Sequence, residues 1–270
     1  MNRIARLTEC FDLSPDNWSP DKLPARIEQG RYTLDSPECR AVFTPLHYER
    51  NYAYPLIVWL HGPGDDERQL QRIMPLVSMR NYVAVGPRGT VEVRAATPVE
   101  MPAANRSVFG GYEWSQRKDH ILLAEHRVME AIDAACEKFN IEPTRIFLAG
   151  FACGGTMALR VALNHPDRVA GVLSLGGAFP TGQTPLKRLA EVRRLRLLLA
   201  TGRDSRGYPA KQVCADLRLM YSAGMSVCLR QYPCGDELTT LMLADMDRWI
   251  MDQLTSAVTV RSDREQAPRT

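Results

Sequence analysis

The sequence predicts an α/β protein built on a largely parallel central sheet with helices on both faces. Three observations carry that prediction. Short apolar runs alternate with stretches of helical periodicity from residue 55 to residue 255, the pattern of strand–helix–strand crossovers. Two further runs joined through Ser36-Pro37 predict antiparallel strands at the N-terminal edge. The apolar run 145–149 passes directly through Gly150-Phe151-Ala152-Cys153-Gly154-Gly155 into a helical stretch. Small residues are needed there because strand and helix come too close for side chains.

The elements follow in order. Residues 1–30, rich in Pro and Asp, read as an N-terminal extension, and the domain itself is read over 31–256. Edge strands are expected at 31–35 and 40–45. Core strands are expected at 55–60, 82–85, 145–149, 169–175, 195–200 and 225–230, each short and mostly apolar. Helices are expected near 66–80, 119–139, 152–164, 209–223 and 236–255. Asp65 and Asp66 stand where they would cap the first of these and Asp119 where it would cap the second. The apolar stripe of the second is read as Leu122, Leu123, His126, Met129, Ile132 and Cys136. Pro209 suits the first turn of its helix and Gly224 the position just past its end. Asp236 and Glu237 read as acids favouring the dipole of the last helix. The polar tail 257–270 is expected to be disordered.

A chain of 270 residues with 45% hydrophobic content can bury one large core, and no internal repeat divides it. Its 34 basic and 31 acidic residues leave a net charge of +3, so no nucleic-acid partner is expected. No apolar run approaches bilayer length, so no membrane insertion is expected either. The first ten residues lack the apolar core of a signal peptide. Seven cysteines (Cys10, Cys39, Cys136, Cys153, Cys214, Cys228 and Cys234) are scattered without zinc-ligand spacing. Reduced thiols in a cytoplasmic protein, with no metal and no cofactor, is the plain reading.

Leu60-His61-Gly62-Pro63-Gly64-Asp65-Asp66 after the first parallel strand resembles the LHGxGD loop of the α/β-hydrolase superfamily. With Gly150-Phe151-x-x-Gly154-Gly155-Thr156-Met157-Ala158, and with Gly110-Gly111-Tyr112-Glu113-Trp114 before the long helix, it resembles the phospholipase/carboxylesterase (acyl-protein thioesterase-like) family. The resemblance covers roughly residues 52 to 256. It implies an α/β-hydrolase fold without a large cap domain, esterase or thioesterase activity, and a Ser–Asp–His triad in that chain order.

The residues at the triad positions depart from that pattern. The nucleophile position holds Ala152, and a methyl group cannot attack a carbonyl. The acid is implied in Thr201-Gly202-Arg203-Asp204, where Asp204 stands one residue closer to the glycine than the family pattern puts it. The base is implied in Tyr232-Pro233-Cys234-Gly235-Asp236-Glu237-Leu238, and its position holds Leu238. The five histidines are His47, His61, His120, His126 and His165, so none follows the acid, as this triad order requires. An oxyanion hole would draw on the N–H of Cys153 and on an N–H near Pro63, in the loop formed by His61, Gly62, Pro63 and Gly64. Pro63 itself has none to give.

Cys153 is the alternative nucleophile, provided that a base or helix terminus lowers its pKa. One position past the apex, it reads better as a small buried hydrophobe, as does Cys234, than as half of a redox pair or a soft-metal site formed by the two. His61 reads as a hydrogen-bonding residue that shapes its loop, and Trp114 as a pocket wall or a cover of the core. The expected function is that of a small-molecule-binding or regulatory member of the family without serine-hydrolase activity. Its expected ligand is small and acyl- or ester-like, and its expected state is monomer or homodimer. The alternative is an active esterase or thioesterase using relocated residues such as Cys153.

Overall fold

The computed structural model describes residues 33–35, 40–93, 111–182 and 185–265, with side chains over 40–93, 111–182 and 185–255; the extension read at 1–30 lies outside them. The described chain begins with β1 (Thr33–Asp35), β2 (Arg40–Phe43), β3 (Tyr54–Leu60), α1 (Gln69–Val77), β4 (Val83–Pro87), β5 (Val91–Val93) and β6 (Gly111–Glu113). It continues through α2 (Lys118–Lys138), β7 (Ile141–Phe151), α3 (Cys153–Asn164), β8 (Gly171–Leu175), α4 (Leu189–Val192), β9 (Arg196–Gly202), α5 (Ala210–Ser222), β10 (Ser226–Tyr232) and α6 (Thr240–Glu265).

Eight strands form one sheet in the order β1-β2-β4-β3-β7-β8-β9-β10, and β5 and β6 form a separate antiparallel pair. β1 and β2 are antiparallel to their neighbours, and every pairing from β4 to β10 is parallel. The expected fold class and the expected antiparallel edge are therefore both present. Alternate residues of each strand feed two apolar clusters. Leu56, Val58 and Leu60 of β3 join the cluster under α2, α3 and α5, whereas Ile57 and Trp59 join the one under α1 and α6. Because both faces are covered, the central strands are apolar at nearly every position rather than alternating.

Some elements differ from the sequence expectation. α2 buries Ile121, Ala124, Val128, Ala131, Ile132 and Ala135, while Leu122, Leu123, His126 and Cys136 are exposed and Met129 is half-buried. The alanines explain the rotation: a face of small side chains lets the helix lie close to the sheet, and the bulkier leucines turn outward. α2 starts at Lys118, so Asp119 lies inside the first turn and makes no cap. α6 starts at Thr240 rather than near 236, and its backbone is helical to Glu265, past the end expected near 255. The β5–β6 pair and α4 were not expected, being too short to leave a periodic signal. The end of α5 is as expected. Gly224 adopts φ +75°, its N–H donates to the Tyr221 carbonyl, and that of Met225 reaches the Met220 carbonyl, closing the helix with a Schellman motif.

Candidate active site

The turn from β7 into α3 has the geometry that the sequence anticipates. Ala152 stands at φ 48°, ψ −116°, a conformation that L-residues rarely adopt. Its N–H donates to the Leu175 carbonyl (2.8 Å) and its carbonyl accepts from Thr156 (3.0 Å). The glycines around it are steric necessities. A Cβ on Gly150 would come within 2.5 Å of the Gly154 backbone, and one on Gly154 within 2.2 Å of the Leu60 carbonyl oxygen. A Cβ on Gly155 would meet Ser174 Oγ at 2.7 Å. Strand, turn and helix thus form a nucleophile elbow at the carboxyl end of β7, beside β3, with a methyl group at its apex.

The other two positions that the resemblance assigns to a triad lie in the loops after β9 and β10. Asp204 is exposed and pairs with its neighbour Arg203 (3.2 Å), so its carboxylate faces solvent. Leu238 is half-buried and packs against the apolar cluster under α1 and α6. Asp236, read from sequence as a helix-dipole acid, does something else. It lies ahead of α6 and accepts hydrogen bonds from Ser205 Oγ, from the Arg206 N–H (3.0 Å) and from the Gly207 N–H (3.1 Å). Burial alone would raise its pKa, but these donors hold it below the usual carboxylate range. One carboxylate therefore pins the acid-bearing loop to the loop where a base would sit.

The loop after β3 is equally committed. His61 is fully buried, and its Nε2 accepts the N–H of Gly89 (2.8 Å). The proton must then sit on Nδ1, which donates to the Gly62 carbonyl (2.8 Å). Burial pushes its pKa down despite that bond and the nearby Asp65, so the ring is a neutral brace, as the loop-shaping reading expects. Pro63 has no N–H. The N–H groups on either side are taken, that of Gly62 by Gln69 Oε1 (3.1 Å) and that of Gly64 by the Tyr112 carbonyl (3.0 Å).

Gln69 also accepts from Trp59 Nε1 (2.8 Å) and donates to Asp65 (2.9 Å). Asp65 therefore anchors the side chains of Gln69 and Arg72, and Asp66 accepts from the Arg68 N–H (2.8 Å); neither caps α1 itself. Sequence reasoning missed Gln69, whose position on a short helix gives no sign of its three partners. The elbow side retains a donor in the N–H of Cys153, at the first turn of α3, where helix geometry offers no intrahelical partner.

Cys153 is half-buried against the cluster under α2, α3 and α5, and Cys234 belongs to the cluster on the other face of the sheet. The two thiols are therefore not paired. Burial pushes both pKa values up, which favours the neutral thiol over the nucleophilic thiolate. Trp114 is buried with its ring 5.5 Å from that of His61, covering the core as one of its two readings proposed. Two of the other histidines serve elsewhere: His126 pairs with Glu130 and His165 with Glu125. A cavity of about 450 Å³ lies on the outer face of α2, between Met129, Asp133 and Arg40, rather than over the elbow. Among the described residues no cluster of His, Cys, Asp and Glu converges as a metal site, and no helix is long and apolar enough to cross a membrane.

Comparison with known proteins agrees with the fold. The family model described as phospholipase/carboxylesterase matches residues 46–216. A probable carboxylesterase of Oryza sativa subsp. japonica is 23% identical over 216 residues, spanning 77% of this chain and 92% of its own length. Arabidopsis thaliana SOBER1 superposes with a TM-score of 0.60 at 20% identity, covering 75% of this chain and 100% of that one. Zea mays acyl-protein thioesterase 2 gives 0.59 at 16% identity, covering 81% and 100%. At such identities the superpositions speak for the fold alone.

Proposed function

The chain belongs to the phospholipase/carboxylesterase family, and from that premise we propose that it is a member without serine-hydrolase activity, a small-molecule-binding or regulatory protein. The observation that carries this reading is the elbow itself, a strained apex bearing the Ala152 methyl while Leu238 packs into apolar core at the base position. In serine hydrolysis a histidine takes the hydroxyl proton and returns it to the leaving group, and an acid holds the ring's tautomer. Here the hydroxyl and the ring are replaced by hydrocarbon, and the acid is turned to solvent. The loss of a donor at Pro63, with its neighbours' N–H groups already bonded, supports the same conclusion. A small acyl- or ester-like molecule is the proposed ligand.

Purified protein offered short-chain p-nitrophenyl esters and acyl thioesters is expected to show no turnover above buffer. Turnover that disappears in a Cys153→Ala variant would establish the alternative, an esterase or thioesterase with relocated machinery. Iodoacetamide labelling with peptide mapping separates the two independently. Slow, diffuse modification of several cysteines is expected here, whereas fast stoichiometric modification of Cys153 belongs to the active enzyme.

A further inference from the structure

Arg160 is a cation in the middle of an apolar helix, with Met157, Ala158 and Leu159 before it and Val161, Ala162 and Leu163 after it, and it is fully buried. A guanidinium removed from water requires hydrogen-bond acceptors. Its Nε donates to Gln116 Oε1 (2.8 Å), its Nη1 to the Gly182 carbonyl (3.1 Å) and its Nη2 to the Thr181 carbonyl (2.6 Å). All three acceptors are neutral, and burial pushes the guanidinium pKa down.

The acceptors belong to two segments, and each of these touches the elbow. Gln116 lies between β6 and α2, two residues past Trp114, whose backbone lies beside the Cys153 thiol. Thr181 and Gly182 lie on the segment that leaves β8 past Gly177, where a Cβ would stand 2.5 Å from the Ala152 carbonyl oxygen. On the first segment Trp114 Nε1 and Gln116 Nε2 are both buried without a partner among the described residues. The Trp114 ring holds its end of the segment by packing in the core, and Gln116 is held at Oε1 by the bond from Arg160.

We propose that Arg160 is a latch that couples the segments 114–116 and 176–182 beside the elbow, so that a change in one is transmitted to the other through this one buried side chain. The latch is independent of whether the protein hydrolyses esters. Hydrogen exchange on the full chain tests it. Arg160→Lys keeps the charge but cannot present a planar fork to three acceptors. It is expected to raise exchange in both segments together by about tenfold, with β3 and β7 unchanged. Gln116→Glu gives Nε a carboxylate acceptor and removes an unpaired buried donor. It is expected to slow exchange in both segments, although only one has been altered. Faster exchange spread evenly over the chain, or confined to one segment, in Arg160→Lys would reduce Arg160 to a packing residue. Failure of 176–182 to respond to Gln116→Glu would overturn the latch even if Arg160→Lys does not fold.

Discussion

Ala152 keeps a backbone conformation whose ordinary reason, lifting a nucleophile clear of the sheet, has gone. At φ 48°, ψ −116° an alanine carries strain on the order of 1–3 kcal/mol, which glycine would shed while losing part of that gain to its freer unfolded chain. Ala152→Gly is therefore expected to stabilise by about 1 kcal/mol, a rise in Tm of about 2–4 °C at this chain length. A melting temperature that falls instead would show that the elbow is not strained. His61 offers a second check. Its folded pKa lies below the ordinary 6.5, so the unfolded chain binds its proton more readily. The stability carried by the neutral ring is full above 6.5 and is lost as pH falls through the lowered folded value. Thermal denaturation between about pH 7 and about pH 5 should show a falling limb that is shallower in His61→Gln. An equally steep limb in the variant would assign the loss to other groups.

At the scale of elements, α2 shows how an apolar count can mislead about orientation. Periodicity marked Leu122, Leu123 and Met129 as the core stripe, but packing chose the face of Ala124, Ala131 and Ala135. The consequence can be measured by a pair of variants. Leu122→Gln, at an exposed position, is expected to change stability by no more than about 0.5 kcal/mol. Ala131→Leu, at 1% exposure, is expected to cost about 1–3 kcal/mol through overpacking. Chemical denaturation of the two would reveal the opposite ranking if the helix were rotated as its periodicity suggests. The elbow, by contrast, was legible because its steric demand is local: Gly150, Gly154 and Gly155 crowd one another and the adjacent β3 backbone. Gln69 and Asp236 were not, since each takes its meaning from partners that reach it only after folding.

Across the whole molecule, the three positions that the family resemblance assigns to a triad follow three different strands, β7, β9 and β10. Residue identity at those positions can be read directly from the chain. A methyl at Ala152, a leucine at Leu238 and the lack of any histidine after residue 165 are chemical facts that no folding can alter. The parallel sheet and its two-sided core likewise follow from alternation and apolar patterning, whereas the order of strands along the sheet came from the structure. Direction and partnership needed the tertiary structure. It turned Asp204 out toward Arg203, set Cys153 and Cys234 on opposite faces, gave the Gly62 and Gly64 N–H groups to Gln69 and Tyr112, and buried Arg160 across two loops. The physical reason is range: the composition of a residue acts where it stands, whereas a hydrogen bond or a face of burial depends on groups that only the folded chain brings near.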